Sequence, residues 1–162
     1  CWASTLRAST RYSSPPRNWR HNMRILLCTT DKIGSRIIRA VTWSRWSHAA
    51  IIDGDEIIEA VWPRVRVSSL IHALETHPRW VIIDIPVADE AAAIAAARSQ
   101  VGKPYDLLGV IGLGVKRNWQ DDDAWWCSEL IPWAAKQAGT DLFRPDALRR
   151  ITPEHLWMLP AP

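Results

Sequence analysis

The chain has 162 residues, 48% of them hydrophobic and 23% charged, the size and balance of one folded domain with its own core, which excludes disordered, collagen-like and coiled-coil classes. Its formal charge of +3 belongs to the first 22 residues, which carry Arg7, Arg11, Arg17 and Arg20 and no acid; residues 23 to 162 hold the other 16 basic groups against all 17 acids, a net of −1. The body is therefore no basic nucleic-acid module, and the tail lacks interleaved aromatic and basic residues on a folded face, so no specific nucleic-acid partner is expected.

Residues 1 to 22 are rich in Ser, Thr, Pro and Arg, with no apolar stretch of the kind a secretory signal needs. They read as a tail, either a disordered native arm or sequence lying upstream of a true start at Met23, and residues 23 to 162 read as the single domain. RILLCTT (24 to 30) is a short buried strand, and 32 to 43 carries Ile33, Ile37, Ile38 and Val41 at helical spacing. Residues 47 to 52 and 56 to 62 read as strands joined at Asp53-Gly54, a dipeptide favoured in type I′ hairpin turns. After Pro63 the alternating RVRV suits a sheet edge, and 68 to 77 is a short helix capped by Ser68 or Ser69.

WVIIDIP (80 to 86) is a further strand ended by Pro86, and 88 to 102 an Ala-rich helix stopped by Gly102. Residues 105 to 115 are expected to form a helix weakened by Gly109, Gly112 and Gly114, followed by an acidic loop at 120 to 124. A helix should run from about Trp126 through Ala138 to a stop at Gly139, with Pro132 kinking it or ending its first segment. A last short helix has Thr152 as N-cap and Pro153 at its first position. Strands and helices mix without strict βαβ alternation, which predicts an α+β domain with an antiparallel sheet packed against helices. The longest apolar run, Leu107 to Val115, spans nine residues, about half of the ~20 that cross a bilayer, so no transmembrane segment is expected. Three scattered cysteines make neither a disulfide framework nor a CxxC zinc site; a reducing, cytoplasmic location fits them.

Cys127 is placed at the mouth of the 126 to 138 helix, where unpaired N–H groups and the helix dipole favour thiolate over thiol; the plain alternative is a small core residue among tryptophans. Such a nucleophile needs an imidazole. His21 lies in the tail, and His72, His77 and His155 read as solvated, which leaves His48. If Asp53-Gly54 is a two-residue loop, Ile52 faces Asp55, Ala50 faces Ile57, and His48 faces Glu59, with Cβ atoms about 4.5 to 5.5 Å apart. A four-residue loop would keep them on one face as diagonal neighbours, and a three-residue loop would separate them. The alternative is an ordinary ion pair on a solvated sheet face. Against it stand Ala49, Ala50, Ile51, Ile52, Ile57 and Ile58, which cover both faces of the hairpin.

The ordered segments SHAAIIDGDEIIEAVWPRVRV, GKPYDLLGVIGLG and WWCSELIPWAAKQAG resemble the circularly permuted papain-fold amidases, the NlpC-type and YiiX-like group related to lecithin:retinol acyltransferase, over about residues 24 to 156. The resemblance implies a permuted papain-like fold in which Cys127 is the nucleophile, His48 the general base and Glu59 the residue that orients the imidazole. It makes Tyr105 a candidate for lining the site or assisting the oxyanion hole, with Asp106 as a helix N-cap; Trp126 joins it as a candidate substrate-binding or oxyanion residue. The implied activity is hydrolysis of an amide or ester, of a cell-wall peptide or a lipid acyl group, through a thioester acyl-enzyme with no metal or organic cofactor. Its rivals are acyl transfer on the same fold and a catalytically idle binding module. A zinc site from His48, Cys127 and a carboxylate lacks the paired local spacing of zinc motifs.

Overall fold

The computed structural model describes residues 22–105, 125–144 and 151–159. Five strands, β1 (Asn22–Thr29), β2 (His48–Asp53), β3 (Glu56–Val61), β4 (Arg64–Ser69) and β5 (Arg79–Pro86), form one sheet in the order β4-β3-β2-β1-β5, antiparallel throughout. Around it lie α1 (Ile33–Thr42), α2 (Leu70–Thr76), α3 (Glu90–Ser99), α4 (Leu130–Gln137) and α5 (Pro153–Trp157). The chain is thus a mixed α+β fold.

The pleat divides the apolar residues between two cores. Ile25, Leu27, Ala49, Ile51 and Ile58 point to the face covered by α3 and α4, where Ala93, Ala97, Ala134 and Ala135 are small enough to bring the helices close. Leu26, Cys28, Ala50, Ile52 and Ile57 point to the opposite face, where Ala73 of α2 closes a smaller cluster. β1 lies between β2 and β5 and supplies both cores, which is why it reads as a continuous apolar run. It opens at Asn22, one residue inside the stretch assigned to the tail. The rest of that tail, the 105 to 115 helix beyond Tyr105, Asp106 with its capping role, and the acidic loop lie outside the described residues.

Two expectations are corrected. The β2–β3 turn is Gly54-Asp55, with Asp53 paired to Glu56 and Ile52 to Ile57. Gly54 takes φ +60 and Asp55 does not share the positive sign, the pattern of a type II′ turn, which wants glycine at its first central position. Continued along the strands, this register sets His48 opposite Val61 and makes Glu59 its diagonal neighbour on the same face. The second correction concerns α4, which begins at Leu130; Cys127 sits in the turn just before it. Pro132 therefore falls in the first helical turn, where a missing N–H costs nothing.

Candidate active site

His48 is the first residue of β2, and the chain entering it is held from the C-terminal end of the domain. Glu154 of α5 accepts from the Arg45 Nε and the Arg45 backbone N–H, each at 2.9 Å, and Trp46 packs on Trp157 with ring centroids 5.8 Å apart. The imidazole Nε2 lies 2.7 Å from Glu59 Oε2, with 16% of the His48 side chain and 7% of the Glu59 side chain exposed. The other carboxylate oxygen accepts from Arg66 Nε at 2.9 Å and from the Ser68 hydroxyl. Glu59, Arg66 and Ser68 share a face because Glu59 pairs with Arg66 across β3 and β4, and Ser68 lies two residues on.

Cys127 is also near enough to the His48 imidazole to act on its ionisation. The structure therefore places Glu59 and Cys127 both beside His48, with the His48–Glu59 hydrogen bond as the firm contact. The Cys127 turn is fastened on both sides: the Ser128 hydroxyl donates to the Ile151 carbonyl at 2.6 Å, and the Trp125 indole donates to Gln100 Oε1 at 3.2 Å.

Burial by itself would disfavour the charged imidazole, but Cys127 and the Glu59 hydrogen bond outweigh it and raise the His48 pKa to about 10. For Glu59, burial works toward the neutral acid, and the hydrogen bonds from His48, Ser68 and Arg66 win, lowering its pKa to about 2. Cys28, the cross-strand partner of His48 on β1, has its pKa driven well above the thiol range, first by burial and then by Cys127 and Glu59. A buried thiol shifted in that direction is a poor nucleophile at neutral pH.

A cavity of about 480 Å³ opens on the His48–Glu59 side, within the range of small-molecule sites. His77, Arg66 and Tyr105 stand on its polar wall; Ile37, Val61 and Trp62 are on its apolar one. Tyr105 lines the cavity, whereas Trp126 and Cys127 do not. Trp126 is buried, and its indole N–H meets no acceptor among the described residues.

Sequence reasoning missed three residues. Arg66 and Ser68 were within reach of it: the period of two in RVRVSS, carried across from Glu59, puts both on its face. His77, taken for a solvated residue, lines the cavity and stacks on His48 with ring centroids 6.5 Å apart and planes 18° from parallel. It arrives at the end of α2, and no local pattern reports its contact with His48.

The fold and site together define an α+β domain with a five-stranded antiparallel sheet carrying a His48–Glu59 pair with the Cys127 thiol beside it. No protein-family model and no curated protein matches the chain. Among solved structures it is similar to the crystal structure of the metalloprotein yiiX from Escherichia coli O157:H7, at a TM-score of 0.59 and 19% identity, over 78% of this chain and 71% of that one. The likeness is one of fold. A metal does not fit the donors found here: among the described residues no group of three or more His, Cys, Asp and Glu side chains could hold one. His48 Nε2 and one Glu59 oxygen are engaged with each other, and the second Glu59 oxygen is occupied by Arg66 and Ser68, so these donors do not converge with Cys127 on a common point.

Proposed function

We propose that the protein is a cysteine hydrolase of the permuted papain-like kind, which cleaves an amide or ester through a thioester acyl-enzyme. What supports this reading is the hydrogen bond between His48 and Glu59 with Cys127 beside the same imidazole. A thiol paired to an imidazole that a carboxylate orients is the arrangement that activates a sulfur nucleophile.

The Cys127 proton passes to His48, whose raised pKa of about 10 keeps the imidazole protonated at neutral pH, and the sulfur of the resulting ion pair attacks the substrate carbonyl. Glu59, ionised and charge-paired to Arg66, stabilises the imidazolium and holds the ring in place. The tetrahedral oxyanion is met by the Cys127 backbone N–H, with the Tyr105 hydroxyl and the Trp126 indole N–H as further candidate donors. The imidazolium returns its proton to the leaving amine or alcohol as the carbon–heteroatom bond breaks. Water, deprotonated by His48, then attacks the thioester, releasing the carboxylic acid and the thiol. A cell-wall peptide amide and a lipid acyl group are the candidate substrates.

The test is labelling of the full chain at neutral pH with a limiting amount of a thiol-directed probe, followed by peptide mapping. The label is expected on Cys127 and not on Cys28, and is expected to be absent from Cys127→Ser. Equal labelling of both cysteines, or of neither in the folded protein, overturns the assignment.

A further inference from the structure

Among the described helices, α1 is the one with none of its residues fully buried. At about 100° per residue, Ile33, Ile37, Val41 and Ile38 sweep an apolar arc of about 140°, an unusually wide stripe for a helix with so little core to meet. One edge of the arc turns inward, where Ile38 and Ile37 reach the cavity. The other turns out, leaving Ile33 76% and Ile37 58% exposed. Across the cavity mouth Trp62, on the loop between β3 and β4, is 69% exposed. Trp43, in left-handed conformation at the end of α1, is 92% exposed.

Among the described residues, the charges beside this apolar surface that lack a partner are cationic. Lys32, the residue just before α1, and Arg36 lie beside the arc, and Arg64 stands two residues after Trp62; all three are exposed, and among the described residues none has an acidic partner. Asp31, the one acid near the start of the helix, is taken by Arg79 at 2.8 Å and Arg39 at 3.9 Å. A short helix with branched aliphatics on one side, cations beside them and tryptophans at its margins is built to lie in the plane of an anionic interface. A protein partner would have to bring both a groove and matching acids. A bilayer with acidic headgroups supplies apolar depth and negative charge at once.

We propose that α1 and the Trp62 loop form a docking surface for an anionic lipid bilayer, with Ile33, Ile37 and Trp62 entering the apolar boundary while Lys32, Arg36 and Arg64 contact headgroup phosphates. Docked in this way, the cavity mouth faces the lipid. The inference rests on the exposed face alone and is independent of the Cys127 chemistry.

The experiment is cosedimentation of the full chain with large vesicles at physiological salt, of phosphatidylcholine alone or mixed with phosphatidylglycerol. Binding to the anionic vesicles is expected to exceed binding to the neutral ones by at least about tenfold, since each cation near such a surface contributes measurably. Ile33→Ser with Ile37→Ser keeps every charge and is expected to lower anionic-vesicle binding about tenfold or more; Arg36→Glu should lower it and weaken its salt dependence. These side chains are exposed, so the thermal midpoint of each variant should match the parent, and Cys127 labelling is scored on the same preparations. Absence of vesicle binding overturns the proposal. So does binding that the double Ser variant retains, which would assign it to charge elsewhere in the chain. A concentration-dependent dimer that the Ser variant abolishes, with no effect on lipid, overturns it in favour of a second copy on this face.

Discussion

Glu59 accepts from three side chains at once, and the direction of its response to pH follows from them. Its pKa is lowered from 4.5 to about 2, so its contribution to stability is full above pH 4.5 and is lost as pH falls toward 2. The His48 pKa is raised from 6.5 to about 10, so that contribution is full below pH 6.5 and is lost as pH rises toward 10. Both are complete only between about pH 4.5 and 6.5. Thermal melts across pH should show the pair's contribution peaking there, and Glu59→Gln should flatten both slopes; an unchanged profile in that variant would dissociate the pair from stability. On activity, Cys127→Ala is expected to abolish turnover of any substrate found while leaving the fold intact, because the covalent route is gone and one small buried group is lost. Glu59→Gln should lower kcat/KM by about a hundredfold, within what acid–base assistance contributes, since an amide still positions the imidazole without stabilising its charge. Wild-type turnover by Cys127→Ala would refute the thiol mechanism.

At the scale of elements, the β2–β3 hairpin carries most of what the sequence made legible. Alternation and the glycine located the hairpin, and the period of two put His48 and Glu59 on one face even though the turn lies one residue further on than the Asp53-Gly54 reading. A displacement of the turn by one residue moves the pairing by two positions, which preserves faces; that parity is why the pair survived the wrong register. The Cys127 turn was less legible because a helix N-terminus is defined by backbone dihedrals, while composition runs on through WWCSELIPW without a break. The helix that delivers His77 was legible, but its contact with His48 was not, because that contact is tertiary. Gly54→Ala tests the hairpin directly. An added methyl meets nothing within 4 Å, but φ +60 remains, and a left-handed L-residue costs about 1–2 kcal/mol. The thermal midpoint should fall by roughly 2–8 °C for a chain of this length, whereas Gly54→Asn should fall less; equal midpoints would mean the turn relaxes to another type.

Over the whole molecule, order is graded outward from β1, the strand that feeds both cores. Backbone amides of β1 and β2 should exchange with solvent only through global unfolding, and those of α1, with no fully buried residue, should exchange first by local opening. Protection of α1 equal to that of β1 would contradict this ranking. One earlier feature bears on how such a protein is made. Glu154 grips the chain entering the His48 strand, and the Ile151 carbonyl grips the Cys127 turn through Ser128, so a single late segment aligns two parts of the site that are far apart in the chain. During synthesis, the imidazole and the sulfur are both made before the clasp that registers them. A nascent or prematurely terminated chain ending at Arg150 would carry every reacting group and yet leave them unaligned. Released chains of this length are expected to show no preferential probe labelling of Cys127 over Cys28, so that the two parts of the candidate site come into register only once residues 151–159 are made.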